Sequence, residues 1–504
     1  MKLCLHIDPS RTRAWHRTLI QRLADHNDIE LCLSRAVEQP LAKAIEVYME
    51  FETRLYIKAE TAGASRLGFD RLDLPLLGND AVDMVIDLAG DDACPESAMQ
   101  IQLLFDGKTG EDAAIASLFG NNGLPQVALR DLKNDKILAS ALPSGELAAG
   151  VVGGLDQLYA RVITLLDAFL HHPQRFAAPL QKTDSFMPGP MSLVKRAAKS
   201  VLRETVMKVY RILFHASHWR VGWRWVDDQD VWNRQDLSGE KWQILEDPGH
   251  NFYADPFPLF WKGKHYLFFE DLNQYEQKGI LSVIEFDETG PTGPAQPCLI
   301  EDFHLSYPFF IEEEDELYMI PETSNNREIA LYRADKFPFG WKKKHVLISD
   351  IDAADVTISR WDGKYWMFCV TRDGAGGYSD CLSLFHADHL LGPWQAHAQN
   401  PVLIDRATAR PAGNMVQKNG KLWRPVQDCS LSYGAELALC EVTRLDESGF
   451  EQIVHKKLAP DAAWPGRKLH SLNRAGQLEV IDGAVLRPKW QKLRPWFDRK
   501  YSPQ

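Results

Sequence analysis

The 504-residue sequence has no run of about 18 apolar residues, so it offers no helix able to span a bilayer. It also has no CxxC pair and no zinc-ligand spacing. Its eight cysteines (Cys4, Cys32, Cys94, Cys298, Cys369, Cys381, Cys429 and Cys440) are scattered, which reads as free thiols in a reducing compartment rather than a disulfide frame. There is no excess of positive charge. Against 57 Lys and Arg stand 69 Asp and Glu, a net of −12, which argues against a nucleic-acid partner. No GxGxxG follows the first apolar strand. Gly150-Val151-Val152-Gly153-Gly154 opens an apolar helix and reads as a turn and cap, not a phosphate cradle. The start, MKLCLHIDPSRTRAWHR, lacks a signal-like apolar core and a small-residue cleavage site, so a cytoplasmic location is expected.

With 45% apolar and 25% charged residues, the composition is that of a globular protein, and the length suits two to four domains. Residues 1–175 alternate apolar runs and amphipathic stretches. Met1–Ile7, Asp28–Leu33 and Ala81–Leu88 read as strands, Trp15–Ala24 and Gly153–His171 as helices. This predicts an α/β, Rossmann-like doubly wound domain. Residues 176–225 form a Pro-rich linker followed by a basic helix with Lys195, Arg196, Lys199, Arg203, Lys208 and Arg211. That helix is expected either to pack between domains or to lie on the inner face of a membrane through residues 192–219.

Residues 226–490 carry an internal repeat, and 491–504 form a C-terminal tail. Units begin at Asp255, Tyr307, Asp355, Ala412 and Lys468, separated by 52, 48, 57 and 56 residues. Each is a strand, a polar turn (Gly263, Asp315, Gly363, Gly420, Gly476) and a second strand. About 50 residues hold four short antiparallel strands, one propeller blade, so five units predict an all-β five-bladed β-propeller. A series of hairpins in a sandwich is the alternative.

In a propeller the start of each hairpin and the position about fifteen residues later share one end of the central channel. Blade one supplies Asp255, with Tyr253, Glu270 and Asp271 beside it. Adjacent Glu270 and Asp271 point to opposite sides, so at most one faces the channel. Blade two supplies Tyr307 and Glu322, and blade three Asp355 and Arg372. Blade four supplies Arg410, Asn414, Arg424, Gln427 and Asp428, and blade five His470 and Asn473. Several carboxylates on one polar, aromatic-rimmed face suit a sugar site, where carboxyl groups act as acid, base or nucleophile. The two arginines favour a phosphate or carboxylate on the substrate. No motif requires a cofactor. No metal site is assigned: Asp255, Glu270 and Asp271 offer calcium ligands without a calcium-specific loop spacing.

The segments NFYADPFPLFWKGKHYLFFED, LSYPFF, YMIPETSNNREIALYRADKFPFGW and ARPAGNMVQKNGKLWRPVQDCS resemble the N-terminal domain of plant glucosamine inositolphosphorylceramide transferases, over roughly residues 230–490. No counterpart of the plants' separate glycosyltransferase domain is found, so the resemblance implies the propeller rather than the ceramide reaction. That domain is similar in turn to the five-bladed furanosidase superfamily, which implies Asp255 as base or nucleophile, Glu322 as acid and Asp355 as the residue that tunes the acid. Two departures stand out. Tyr307-Pro308 occupies the place of an Arg-Asp-Pro motif, and Glu322 lies in Pro-Glu-Thr rather than Glu-Cys-Pro. In the first half, LLFDGKTGEDAAIASLFGN is similar to a formyltransferase segment. The residues before it, Ser97 to Gln102, lack the catalytic Asn and His, which implies a degenerate scaffold.

The expected function is an enzyme that makes or cleaves a glycosidic bond in cell-envelope polysaccharide or glycolipid metabolism. One alternative is a non-catalytic module that binds a glycan or lipid headgroup. The other is a formyl or acyl transferase worked by residues 1–175.

Overall fold

A computed structural model describes all residues except 57–62, 92–93, 121–122, 174–177 and 182. The chain divides into two compact units. The first comprises Met1–Thr205 with Arg372–Gly377 and Leu403–Asp405; the second holds the rest.

The first unit is built on one sheet, in the order Glu30–Arg35, Lys2–Ile7, Met84–Asp87, Met99–Phe105, Val127–Asp131, Lys136–Ala141. The first four strands are parallel and the last two antiparallel. Helices Ala14–Ala24, Lys43–Tyr56, Gly110–Gly120 and Gly150–His171 accompany it. The chain passes from one side of Lys2–Ile7 to the other between its second and third strands, as a doubly wound sheet requires. Glu52 accepts from the backbone N–H of Val151 and Val152 at 2.6 and 3.2 Å, so a carboxylate of the protein itself caps the Gly150 helix. Gly150 has φ 70°, and a Cβ there would lie 2.6 Å from Glu52 Oε2, which explains the glycine. The segment 103–121, for which no formyltransferase relative is shown, forms the end of the strand Met99–Phe105, the short strand Lys108–Thr109 and the helix Gly110–Gly120; its last residue, Asn121, lies outside the described residues.

The second unit is a five-bladed β-propeller, each blade an antiparallel sheet of four or five strands. The first two strands of each blade are Asn251–Trp261 and Lys264–Asn273, Ser306–Glu313 and Glu316–Glu322, Ala353–Trp361 and Lys364–Thr371, Val416–Lys418 and Lys421–Asp428, and Leu472–Ala475 and Leu478–Pro488. Four of the joining turns have positive φ at both central residues: Lys262-Gly263, Glu314-Asp315, Asp362-Gly363 and Asn419-Gly420. This is the two-residue turn whose twist matches an antiparallel pair, and it explains the regular Gly or Asp that marks the repeat. Aromatic and aliphatic side chains fill the space between sheets, for example Phe268, Leu281, Tyr332 and Trp341.

Residues 214–225 depart from the expected linker. The basic helix is Pro190–Leu213, and Phe214–Trp225 is a strand that pairs with Leu478–Pro488. Blade five is therefore closed by two C-terminal and two earlier strands, the last being Gln243–Ile244. A buried ion pair joins these two parts. Arg224 donates from Nε to Glu479 at 2.8 Å, its other guanidinium nitrogen lies 2.7 Å from the same carboxylate, and neither side chain is exposed. Glu479 also accepts from the Val231 N–H at 2.8 Å. Glu479→Ala leaves a buried guanidinium without its counter-charge, which costs about 3–5 kcal/mol, and the denaturation midpoint should fall accordingly. Replacing both partners by apolar residues should recover much of the loss; an unchanged midpoint in the single variant would remove this pair from the closure.

Candidate active site in the propeller channel

The same irregularity recurs in the innermost strands of the first three blades. The pairing runs Ala254↔Glu270 then Phe257↔Phe268, Ser306↔Glu322 then Phe309↔Ile320, and Ala354↔Val370 then Thr357↔Phe368. Two residues on the inner strand thus oppose one on its neighbour, which is a β-bulge. The first residue of each bulge has left-handed backbone: Asp255 at φ 48°, Tyr307 at 44° and Asp355 at 55°. Such a conformation is costly for side chains with a Cβ, most of all for a tyrosine, and it persists where the surroundings require it. The bulges bring three chain-equivalent side chains to one level of the channel. Glu270 and Glu322 are equivalent too, each opposite the residue that precedes its bulge.

All these groups are buried except Glu322, which is half-buried. Asp355 accepts from Arg410 Nε at 2.6 Å and from Gln427 Nε2 at 3.0 Å. His470 lies between two carboxylates, with Nδ1 2.6 Å from Asp482 and Nε2 3.3 Å from Asp255. Asp482 also accepts from the backbone N–H of Asp255 and of Ser471, both at 2.9 Å, so it fixes the bulge and the imidazole together. Tyr307 shares its hydroxyl with Thr357 and accepts from the Gly413 N–H, both at 2.8 Å.

The fields of these charges separate the carboxyl groups. Burial pushes Asp255 up to about 7; His470 pulls it back, while Asp355 and Asp482 push it further. Burial and then the Asp355 charge raise Glu322 to about 8. Glu270 is held well above the usual carboxylate range by burial, then by Asp255 and Glu322. Burial disfavours the His470 cation, but Asp482 and Asp255 outweigh it and the imidazole is shifted up. Burial and like charge thus favour the neutral forms of Glu322 and Asp255, while Asp355 is paired to Arg410 between blades. Acid–base chemistry needs one group set to give a proton and another set to take one.

The channel brings together Asp255, Glu270, Tyr307, Glu322, Asp355, Arg410, Gln427 and His470. Glu270 faces its carboxyl neighbours. Asp271 turns away, accepting from Asn251 at 2.6 Å and Ser282 at 2.9 Å. The other expected residues lie elsewhere. Tyr253 is a core side chain, its ring 4.5 Å from that of Phe269. Arg424 is sealed inside blade four, where it donates to the carbonyls of Thr408 and Ala409 and to Gln452; burial lowers it to about 10. It holds the loop that presents Arg410 instead of meeting a ligand. Asp428 is consumed by Lys457, at 2.5 Å, and the Ser430 N–H. Arg372 belongs to the segment grouped with the first unit. Asn473 donates to the Pro256 carbonyl at 2.9 Å and accepts from the Asn414 N–H at 2.7 Å, so it braces the first bulge. Both asparagines line a cavity of about 450 Å³ further along the inner strands, with Phe309, Glu313 and Arg360.

Four residues of the site were not foreseen. Asp482 lies in the blade-five motif one position short of the fifteen-residue spacing. Trp219 stacks on His470, ring centroids 4.0 Å apart, and comes from the strand hidden in the expected linker. Tyr433 lies 5.5 Å from the His470 ring and under Arg410 at 4.7 Å. Lys468 lies over the Trp219 and Tyr433 rings, at 5.5 and 5.4 Å. The repeat signalled Asp482 and also Lys468, the start of its fifth unit; Trp219 and Tyr433 lie outside its hairpins.

Among the described residues, two groups bring three metal-ligating atoms within 4.8 Å of one another: Asp255, His470 and Asp482 in the channel, and His26, Asp167 and His171 in the first unit. In the channel group the imidazole already bridges the two carboxylates, so a metal ion there would have to displace these bonds.

Residues 245–483 match a family model described as glucosamine inositolphosphorylceramide transferase 1, N-terminal. Curated proteins of that name match as well. That of Oryza sativa subsp. japonica is 32% identical over 248 residues, covering 46% of this chain and 33% of that protein. That of Arabidopsis thaliana is 30% identical over 207 residues, covering 40% of this chain and 27% of that protein. The chain thus spans a third or less of the length of these relatives, and the resemblance read from the motifs holds for its propeller. Among solved structures, the chain is similar to a mutant of the GH43 protein BlXynB from Bacillus licheniformis, with 18% identity and a TM-score of 0.32 over 50% of this chain and 52% of that one. It is also similar to CoXyl43, a GH43 beta-xylosidase/alpha-arabinofuranosidase from a compost microbial metagenome, with 12% identity and a TM-score of 0.33 over 47% of this chain and 92% of that one.

Proposed function

We propose that the propeller channel is the active site of a carbohydrate-active enzyme that makes or cleaves a glycosidic bond, with a glycan or glycolipid as substrate. The observation that carries this reading is the convergence of Asp255, Glu322 and Asp355 from three blades on one end of the channel, where Arg410 and Gln427 hold Asp355. Glu322 protonates the leaving oxygen. Asp255 activates the incoming hydroxyl or attacks the anomeric carbon. Asp355, fixed by Arg410 and Gln427, keeps the Glu322 proton in place by like-charge proximity. The matched relatives support the substrate class through their name, which joins a sugar, a phosphoryl group and a lipid.

Activity in this scheme needs Asp255 deprotonated and Glu322 protonated. The rate should rise with pH through about 7 and fall through about 8, a narrow bell whose limbs belong to the interacting pair. A pH profile of kcat/KM checks it: Glu322→Gln should remove the alkaline limb, and a flat profile between pH 6 and 9 would count against both assignments.

The second reading is a glycan-binding channel without turnover. It is favoured by Arg410 and Lys468 beside the half-buried Tyr433, which suits a sugar bearing an anionic group. This reading requires Asp255→Asn to bind as the wild type does.

A further inference from the structure

The helix Pro190–Leu213 buries one side chain, Leu193. Its other apolar residues nevertheless fall in register. Val194, Val201, Leu202, Val206, Val209 and Ile212 lie within an arc of about 140° at 3.6 residues per turn. All six are between 46% and 70% exposed. Lys199 and Arg203 lie along one side of the stripe, Lys208 and Arg211 along the other, and Lys195 falls just inside the first edge. The helix holds six basic residues against the single acidic Glu204, in a chain whose net charge is −12.

A second segment adjoins the C-terminal end of this helix from far along the sequence. The Lys489 N–H donates to the Leu213 carbonyl at 2.9 Å, and its ammonium to the Arg211 carbonyl at 2.7 Å. The Phe497 ring meets Phe214 edge-on at 5.6 Å. Around these contacts Trp490, Leu493 and Trp496 are exposed, interleaved with Lys489, Lys492 and Lys500.

An exposed apolar stripe of this length marks a docking surface. Its chemistry identifies the occupant. Basic borders on an otherwise acidic chain match an anionic surface. Long Lys and Arg side chains reach past an apolar face to headgroups, and tryptophan favours the membrane–water boundary. Among the described residues no helix is long and apolar enough to cross a bilayer. We propose that the end of this helix over residues 206–213 and the segment 490–496, both in the second unit, form a docking surface for an anionic lipid bilayer, lying in its interface.

The full chain would be mixed with phosphatidylcholine vesicles with and without phosphatidylglycerol, and binding read by co-sedimentation and tryptophan emission. Binding is expected only with phosphatidylglycerol, with a blue shift, and should weaken as salt is raised. Each basic residue removed should weaken it about fivefold. The double variants Val209→Glu with Ile212→Glu, and Trp490→Ala with Trp496→Ala, should each weaken it more than tenfold at unchanged Tm, since all four side chains are exposed. Equal binding to both vesicles, no binding to either, or full binding by the variants would overturn the proposal. So would a wild-type dimer that the Glu variant makes monomeric without any lipid binding, because the stripe would then be a contact between copies.

Discussion

Asp255→Asn should lower turnover by about 10²–10⁴-fold while leaving the propeller folded. The side chain stands at the first position of a bulge with φ 48°, a conformation that asparagine tolerates better than most residues, so the backbone has no reason to move. Its backbone N–H still reaches Asp482, and the amide oxygen can face His470 in place of the carboxylate. What is lost is the capacity to accept a proton or to attack. The amide also cannot carry the negative charge that raises Glu270. The expected pattern is a collapse of kcat with near-normal affinity for an oligosaccharide. Retained turnover would exclude Asp255 as base or nucleophile.

Glu322→Gln should remove turnover of substrates whose leaving group needs a proton, by a similar factor, and should also stabilise the protein at high pH. The two effects share a cause. In the folded protein the carboxyl is raised to about 8, above its unfolded value, so folding favours the protonated form. Its contribution to stability is fully present below the unfolded pKa of about 4.3 and is lost as pH rises through about 8. The wild type should therefore lose on the order of 2–4 kcal/mol between those limits from this group, and the glutamine variant should not. Above about pH 8 the variant should be the more stable of the two; near pH 4 they should match. Denaturation at both extremes checks this, and a variant that is equally or less stable at alkaline pH would contradict the raised pKa of Glu322.

The architecture was legible because its turns are chemically constrained. Left-handed backbone at Gly263, Gly363 and Gly420 places the same residue type at the same point of blades one, three and four, with Asp315 in blade two, and this marks the period. Asp255, Glu322 and Asp355 followed from that period. The closing strand was not legible. His218, Arg220 and Arg224 alternate with Trp219, Val221, Trp223 and Trp225 directly after a basic helix, and only the partner at Leu478–Pro488 defines the strand. Trp219 was missed with it. The two blade-four arginines could not be told apart by type: Arg424 sits on a strand facing carbonyls, Arg410 on a loop facing Asp355. Tyr307 carried no local signal for its left-handed backbone, since that conformation is imposed by the Ser306–Phe309 register shift and the bonds to Thr357 and Gly413.

The most direct test of the channel as an active site is turnover. The purified chain would be incubated with a panel of aryl glycosides and nucleotide sugars, furanosides included, beside Asp255→Asn and Glu322→Gln. Release or transfer of a sugar by the wild type, lost in both variants, is the predicted result. An inert wild type that binds an oligosaccharide as tightly as Asp255→Asn does would contradict it.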